Sequence, residues 1–509
     1  MSEKRLAFPR AELRGRTARG GAFNALFLGG VQALLLVQGV IVTALLGPVA
    51  IGLYAIVSTI ALTFLELKKA GVDEAFVQQS EPDQPAEFRK AFTVELGFAL
   101  ACSLGIVLTA PLIALAFDDG RLLPLTLAVA YLPAAFAFHA PMWVFFRRMD
   151  FVRLRLLEAI VPGVSFLVTV PLAIAGVGVW SLVIGPLVGN TVAIVVAMVV
   201  SPYKVGLDFD RSAMRRYLRF TWPIFASAGA LLIVQGGQLL AFNIDGGIAA
   251  AGFVTLAFTF TRYADRANQI MTATVYPAAC AVRERIPTLE ELFEKSNRLM
   301  LMWALPFCAL FVLFSEDLVD FVLGSDWVPA IVLLQGLAVA AAFQQLGYNW
   351  FSFYRARGDS RPQAVESAVM VAGFLVFAVP ALFIWGFWGF VAGRVAGTCA
   401  QLAVRRGYVR RLLPHVRLIW LGLRSLAPVL VGAGAALALR FALWGGPRGV
   451  GQAAAELALF GAGTALSTWL AERELLAELR DYIRRGALAA APARDDADSI
   501  EPAGVESPI

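Results

Sequence analysis

Arg394 stands in the middle of a long apolar run, flanked by Gly393 and Gly397. A guanidinium at that depth of a membrane helix cannot easily snorkel to water. It must face a polar cavity or a partner. One reading is an anion-binding cation; the other is a structural pair with a carboxylate on a neighbouring helix. Arg262 and Arg266 are four positions apart and would share a helical face. Together they could hold a phosphate through charge-assisted hydrogen bonds. With Asp265 between them, they could equally form an interfacial salt-bridge cluster that anchors the helix. Gln38 and Gln235 each sit in a Val-Gln-Gly triplet, Val37–Gly39 and Val234–Gly236. They suit symmetric lining of a cavity, or hydrogen bonding between helices. Gln238 lies near them. Glu95, early in an apolar run, suits a proton or cation site, or a headgroup-level carboxylate beside Arg89 and Lys90.

Other chemistry has no support in the residues. No Walker loop, nucleophile elbow or paired metal-ligand motif occurs. The four cysteines, Cys102, Cys280, Cys308 and Cys399, are far apart, and the two histidines are His139 and His415. Cysteines so placed read as small apolar residues in helices. No metal, cofactor or enzymatic activity is expected. Arg424 reads as a snorkelling residue. Glu158 and Glu366, with Arg147 and Arg355, read as clamps of turns.

The elements that position these residues follow from composition. The chain is 59% hydrophobic and 16% charged over 509 residues. A soluble domain has about 25% charged residues, so too little polar surface remains here to face water. Apolar runs of spanning length number about fourteen. The fold class is an all-α polytopic membrane protein. The basic stretch Met1–Gly21 precedes a run, Phe23–Leu46, that is too long for a signal-peptide core and is expected to stay as a helix. With the N-terminus in the cytoplasm, 38 of the 43 Lys and Arg residues fall on cytoplasmic connections. Three fall outside (Arg121, Arg440, Arg448) and two within spans (Arg394, Arg424). That bias obeys the positive-inside rule. It places both termini in the cytoplasm, and it accounts for the net charge of +6 without a nucleic-acid partner. Leu475–Gly486 reads as a short amphipathic helix, and Ala487–Ile509 as a disordered tail.

Two stretches match at a constant offset of 208 residues. Phe145-Phe146-Arg147 pairs with Phe353-Tyr354-Arg355, and Glu158 with Glu366. Gly178-Val179-Trp180 pairs with Gly386-Phe387-Trp388, then Gly185 with Gly393 and Gly189 with Gly397. The offset joins spans six apart. Six is even, so the two halves have the same orientation, a parallel repeat of the kind secondary transporters use. The organisation expected is a basic N-terminus (1–22), a first six-helix lobe (23–204), a linker (205–220) and a second six-helix lobe (221–415). Two further helices (416–470) and a largely disordered cytoplasmic tail (471–509) follow. The lobes would rock about a central cavity.

Four stretches carry a family resemblance. Leu45-Leu46-Gly47-Pro48, then Ile51-Gly52-Leu53-Tyr54, resembles the L-G-P-x-x-x-G-x-Y junction of bacterial polysaccharide flippases. Ala70-Gly71-Val72 followed by Ala75-Phe76-Val77-Gln78 resembles the segment after their second helix. Tyr263–Arg266 with Tyr276-Pro277-Ala278 resembles their eighth, and Gly324-Ser325-Asp326-Trp327-Val328-Pro329-Ala330 the end of their ninth. The similarity covers roughly residues 15–415, in the multidrug/oligosaccharidyl-lipid/polysaccharide exporter superfamily. It implies movement of an undecaprenyl-diphosphate-linked oligosaccharide from the cytoplasmic to the periplasmic leaflet of the bacterial inner membrane, for surface polysaccharide or exopolysaccharide synthesis. The implied partners are this lipid-linked substrate, membrane lipids, and polysaccharide polymerase and export machinery. Many members carry Arg before L-G-P where this chain has Thr43-Ala44, so that arginine's role does not transfer. The main alternative is a small-molecule or drug antiporter of the same superfamily. A major facilitator lacks its hallmark here, since Leu67–Asp73 does not carry it. A membrane-embedded polymerase or glycosyltransferase would need a larger external loop.

Overall fold

The structure, a computed structural model, describes residues 10–68, 72–79, 81–148, 150–359, 361–443, 448–478 and 480–481. No strand occurs among them. Inside hydrocarbon a spanning segment must satisfy its own backbone groups, and a helix does so. The first helices are α1 (Arg10–Lys68), α2 (Val72–Gln78), α3 (Gln84–Ala116), α4 (Leu122–Val129), α5 (Tyr131–Ala137) and α6 (Pro141–Arg147). Next come α7 (Phe151–Ile174), α8 (Trp180–Val200), α9 (Arg211–Thr261), α10 (Arg266–Ala281), α11 (Ile286–Leu318) and α12 (Ala330–Gln345). The last are α13 (Trp350–Ala356), α14 (Arg361–Gly373), α15 (Val379–Leu412), α16 (Leu418–Leu443) and α17 (Val450–Ala471).

Glycine divides three of these helices. In α1, Gly47 takes φ 72° and ψ 173° just before Pro48. In α9, Gly247 takes φ 74°, and in α15, Gly386 takes φ 61°. A Cβ disfavours such angles, so only glycine holds them cheaply. Nine segments are long and apolar enough to cross a membrane, or ten if the bent pair Leu122–Ala137 and Pro141–Arg147 counts once. Each glycine break divides one of these segments, and the 22-residue α17 adds another. Fourteen spans result among the described residues, the number the apolar runs indicate.

The chain divides into two compact units. Residues 31–471 hold the bundle. Met1–Gly30 with Glu472–Ile509 form the other unit, in which residues 473–478 are helical. The start of the basic N-terminus and the tail 487–509 lie outside the described residues.

The repeat is written into backbone geometry. Gly178 and Gly386, 208 apart, share φ values of 68° and 61°. A Cβ on Gly185 would lie 1.9 Å from Thr169 Oγ1; one on Gly393 would lie 2.5 Å from Phe377 O, at the position matching Thr169. A Cβ on Gly189 would lie 2.7 Å from Ser165 Oγ. One on Gly397 would lie 3.5 Å from Gly373 Cα, the counterpart of Ser165. Small residues let membrane helices approach closely, and both halves place them alike. A second offset, 200 residues, governs the earlier helices. Gly47 and Gly247 break their helices with matching φ. Gly52 and Gly252 then press together: a Cβ on Gly52 would fall 2.1 Å from Ile248 O, and one on Gly252 would fall 2.1 Å from Pro48 O. The clamps repeat too. Arg147 lies over Phe76 at 5.7 Å and Arg355 over Tyr276 at 5.1 Å. The second half therefore carries extra residues between Tyr276 and Phe353.

The clamps differ from expectation in their acidic partners. Glu158 pairs with Arg155 on its own helix. Glu366 pairs with Arg405 and accepts from Trp350 Nε1 at 2.9 Å. Arg147 instead donates to Phe76 O at 2.7 Å. Arg405 also donates to Gln344 O and Leu346 O, at 2.7 and 2.6 Å, where α12 ends. A carbonyl freed by a helix end draws the guanidinium more effectively than a distant carboxylate does.

The three cations that the sequence leads one to expect outside are all ion-paired. Arg121 pairs with Asp119 at 2.6 Å. The Arg121 guanidinium holds the Asp119 carboxyl below its usual range. Arg440 and Arg448 both reach Glu456, at 2.9 and 2.8 Å, and Arg448 reaches Asp317 at 3.0 Å. The α16–α17 hairpin packs through Gly432, where a Cβ would lie 2.1 Å from Thr464 Oγ1, whereas Gly434 faces open space. Gly432→Ala is expected to destabilise the bundle by about 1–3 kcal/mol through overpacking. Gly434→Ala should be neutral or slightly stabilising. Melting of the detergent-solubilised protein checks the contrast, and equal melting of the two variants would refute it.

Candidate functional site

A cavity of about 550 Å³ is walled chiefly by α1 and α9, with Leu182 from α8, Gln344 from α12, Met370 from α14 and Arg394 from α15. Gln38, Gln235, Arg262 and Arg394 all line it, as does Gln238. Polar residues scattered over the chain thus meet in one place. Glu95 does not line it; it is buried on α3. The side chain of Arg266 lies outside the described residues.

Arg394 is placed by the packing around it. Gly393 and Gly397 occupy the face of α15 pressed against the preceding segment. Arg394 is turned about 100° from Gly393 round the helix, onto the cavity. Its guanidinium carbon lies 5.6 Å from the centre of the Phe258 ring, a cation–π contact. Its Nε is buried and has no hydrogen-bond partner, and no carboxylate pairs with it among the described residues. The structural pair considered from sequence is therefore not formed there. A buried donor left without a partner costs free energy, and a ligand oxygen would relieve that cost.

Arg262 departs from expectation in its backbone. Residues Arg262–Asp265 form a 3₁₀ turn between α9 and α10. With three residues per turn, positions 262 and 266 no longer share one α-helical face. The tighter turn brings Asp265 to the cavity wall beside Arg262. Asp265 Oδ1 accepts from Gln345 Nε2 at 2.5 Å, and Gln345 Oε1 accepts in turn from Asn268 Nδ2.

The glutamines line the cavity, but their symmetry is shifted. At the 200-residue offset, the counterpart of Gln38 is Gln238, and that of Gln235 is Leu35; all four line the wall. The Val-Gln-Gly match is displaced by three residues, close to one helical turn, so it falls near the same face. Gln38 Oε1 is buried with no hydrogen-bond partner among the described residues. Tyr54, Ser58, Thr59, Thr255 and Thr259 add hydroxyls to the wall. Sequence reading passed over them, although Tyr54–Ser58 and Thr255–Thr259 show the i, i+4 spacing that puts polar groups on one face of an apolar helix.

The polysaccharide biosynthesis protein family model matches residues 41–332. The chain belongs to this family. The matched region takes in the second part of α1, the end of α9 and Arg262, but not Arg394. No curated protein matches the chain. Among solved structures, the lipid II flippase MurJ in an inward closed conformation is 12% identical, with a TM-score of 0.67 over 89% of this chain and 99% of that one. An inward-facing multidrug resistance MATE family transporter of the MOP superfamily is 16% identical, at 0.60 over 76% and 96%. An outward-facing one is 17% identical, at 0.51 over 80% and 97%. These likenesses establish the fold: a multi-pass helical membrane bundle of the kind flippases and multidrug transporters share.

Proposed function

We propose that the protein is a flippase that carries an undecaprenyl-diphosphate-linked oligosaccharide from the cytoplasmic to the periplasmic leaflet of the bacterial inner membrane. It supplies surface polysaccharide or exopolysaccharide synthesis, with polymerase and export machinery downstream, and it catalyses no chemical step. The observation that carries this reading is the buried Arg394 Nε, without a hydrogen-bond partner among the described residues, on the wall of the cavity in a member of a polysaccharide biosynthesis family. A diphosphate supplies the oxygens that Arg394 lacks, and Arg262 stands on the same wall. The polyprenyl tail stays in lipid while the head crosses. Lobes 23–204 and 221–415 rock about the cavity, and the contact of Gly52 with Gly252 closes one end of it. Both termini face the cytoplasm. Glu95 is assigned the coupling ion; if Glu95→Gln keeps full dependence on the proton or sodium gradient, it has no such role.

Deleting the gene in its host should accumulate lipid-linked oligosaccharide in the cytoplasmic leaflet and abolish surface polysaccharide. Charge-assisted hydrogen bonds contribute about 1.5–3 kcal/mol each. Arg394→Ala should therefore lower transport roughly ten- to a hundredfold at normal expression, with Arg394→Lys recovering part of it. Intact surface polysaccharide and unchanged lipid-linked glycan, in a host with no second flippase, would overturn the reading and favour a drug antiporter.

A further inference from the structure

The two halves build the cavity from equivalent positions with unequal chemistry. At the 200-residue offset, Gln38 corresponds to Gln238 and Thr59 to Thr259, and all four line the wall, so each half supplies neutral polar groups. The charges are not. Arg262 has Leu62 as its counterpart, and both line the wall. Arg394, at the 208-residue offset, corresponds to Pro186. Phe258, whose ring lies against Arg394, corresponds to Ser58. Among the described residues, the lining contributed by the first half carries no charge. The second half carries two cations and one carboxylate, Asp265, and so a net positive charge.

We infer that the cavity is polarised by half. The anionic phosphate part of the substrate docks on the second half, at Arg394 and Arg262, and the uncharged, hydroxyl-bearing part on the first half, around Tyr54, Ser58 and Thr59. The inference rests on the flippase reading above and adds an orientation to it. In a wall of matched backbone, charge separates the anionic part of the cargo from its uncharged part, and in a low-dielectric surround that preference is steep. Arg394 meets a phosphate with its partnerless Nε and its neighbouring N–H groups, in the fork geometry that suits phosphate oxygens. Sugar hydroxyls need neutral donors and acceptors instead. The first half offers these as the Tyr54, Ser58 and Thr59 hydroxyls and the Gln38 amide. The cargo then keeps one orientation across the pseudo-symmetric site.

Two probes test the partition on the full chain in lipid nanodiscs: undecaprenyl diphosphate without glycan, and the lipid-linked oligosaccharide extracted from the deletion strain. Arg394→Gln and Arg262→Leu should each weaken binding of undecaprenyl diphosphate roughly tenfold or more. Ser58→Ala with Thr59→Val should leave that binding within about twofold while weakening the glycan-bearing lipid. The mirror variant Leu62→Arg with Arg262→Leu keeps the net charge but moves one cation to the first half, and it should not recover diphosphate binding. Recovery by the mirror variant, or equal loss of diphosphate binding from the first-half pair, would overturn the partition while leaving the flippase reading intact. Failure of the unaltered protein to bind either lipid would overturn the flippase reading itself. The first-half pair is conservative in volume, so the test does not depend on the mirror variant folding.

Discussion

Glu456→Gln is expected to destabilise the bundle by about 3–5 kcal/mol, the usual consequence of removing one partner from a buried ion network. The Glu456 side chain is fully buried. Its Oε2 accepts from Arg440 Nε at 2.9 Å and from Arg448 Nη1 at 2.8 Å. Asp317 lies across from both arginines, 3.0 Å from Arg448 and 3.7 Å from Arg440. Arg440 also donates to Leu313 O at 3.3 Å and lies over the Phe314 ring at 5.7 Å. The network thus fastens α16 and α17 to the end of α11. Without the Glu456 charge, two guanidinium groups share one carboxylate in a region of little water. Replacing Glu456, Asp317, Arg440 and Arg448 together by apolar residues of similar volume should restore most of the loss, because the desolvation cost disappears with the charges. Thermal melting and monodispersity of the purified protein read both variants. Glu456→Gln melting with the unaltered protein would show that the four charges do not hold the hairpin.

Gly252→Val should hold the two halves apart where Gly52 and Gly252 now touch. A Cβ at 252 would fall 2.1 Å from Pro48 O and 2.9 Å from Pro48 C, both backbone atoms that cannot rotate aside. The overlap is relieved only if residues 48–52 move away from residues 248–252. Overpacking of about 1–3 kcal/mol against one state shifts a two-state population roughly 5- to 150-fold. Labelling of a cysteine placed at Ile51, which is buried next to Gly52, should accordingly speed up, and under the proposed function transport should fall. Gly47, a few residues before, needs its glycine for φ rather than for space. Gly47→Ala should therefore slow folding or lower yield without that labelling change. Unaltered labelling in Gly252→Val would show that the contact does not close the cavity.

The contrast between these variants illustrates what sequence determines here. Span number followed from apolar run length, a local quantity set by bilayer thickness. The break at Gly47 was legible through the Leu-Gly-Pro junction, whereas those at Gly247 and Gly386 emerged from the backbone angles. The 208-residue repeat was legible because glycines that touch another backbone, at 185 and 393, tolerate no substitute. The gathering of Lys and Arg on alternate connections likewise needed no coordinates.

Tertiary structure alone decided which polar groups meet. Arg394, Arg262, Gln38 and Gln235 converge on one cavity while Glu95 lies elsewhere, although all five are polar residues in apolar runs. Burial in a bundle depends on the rotation of each helix about its axis, and spacing along the chain leaves that angle open. Partner choice was hidden for the same reason. Glu366 takes Arg405, 39 positions away, rather than Arg355, and Arg440 takes Glu456 and Asp317. The face pressed by Gly393 and Gly397 turns Arg394 into the cavity, where no carboxylate ion-pairs with it among the described residues. Sequence put a cation at that depth; the packing of α15 set its guanidinium on the cavity wall.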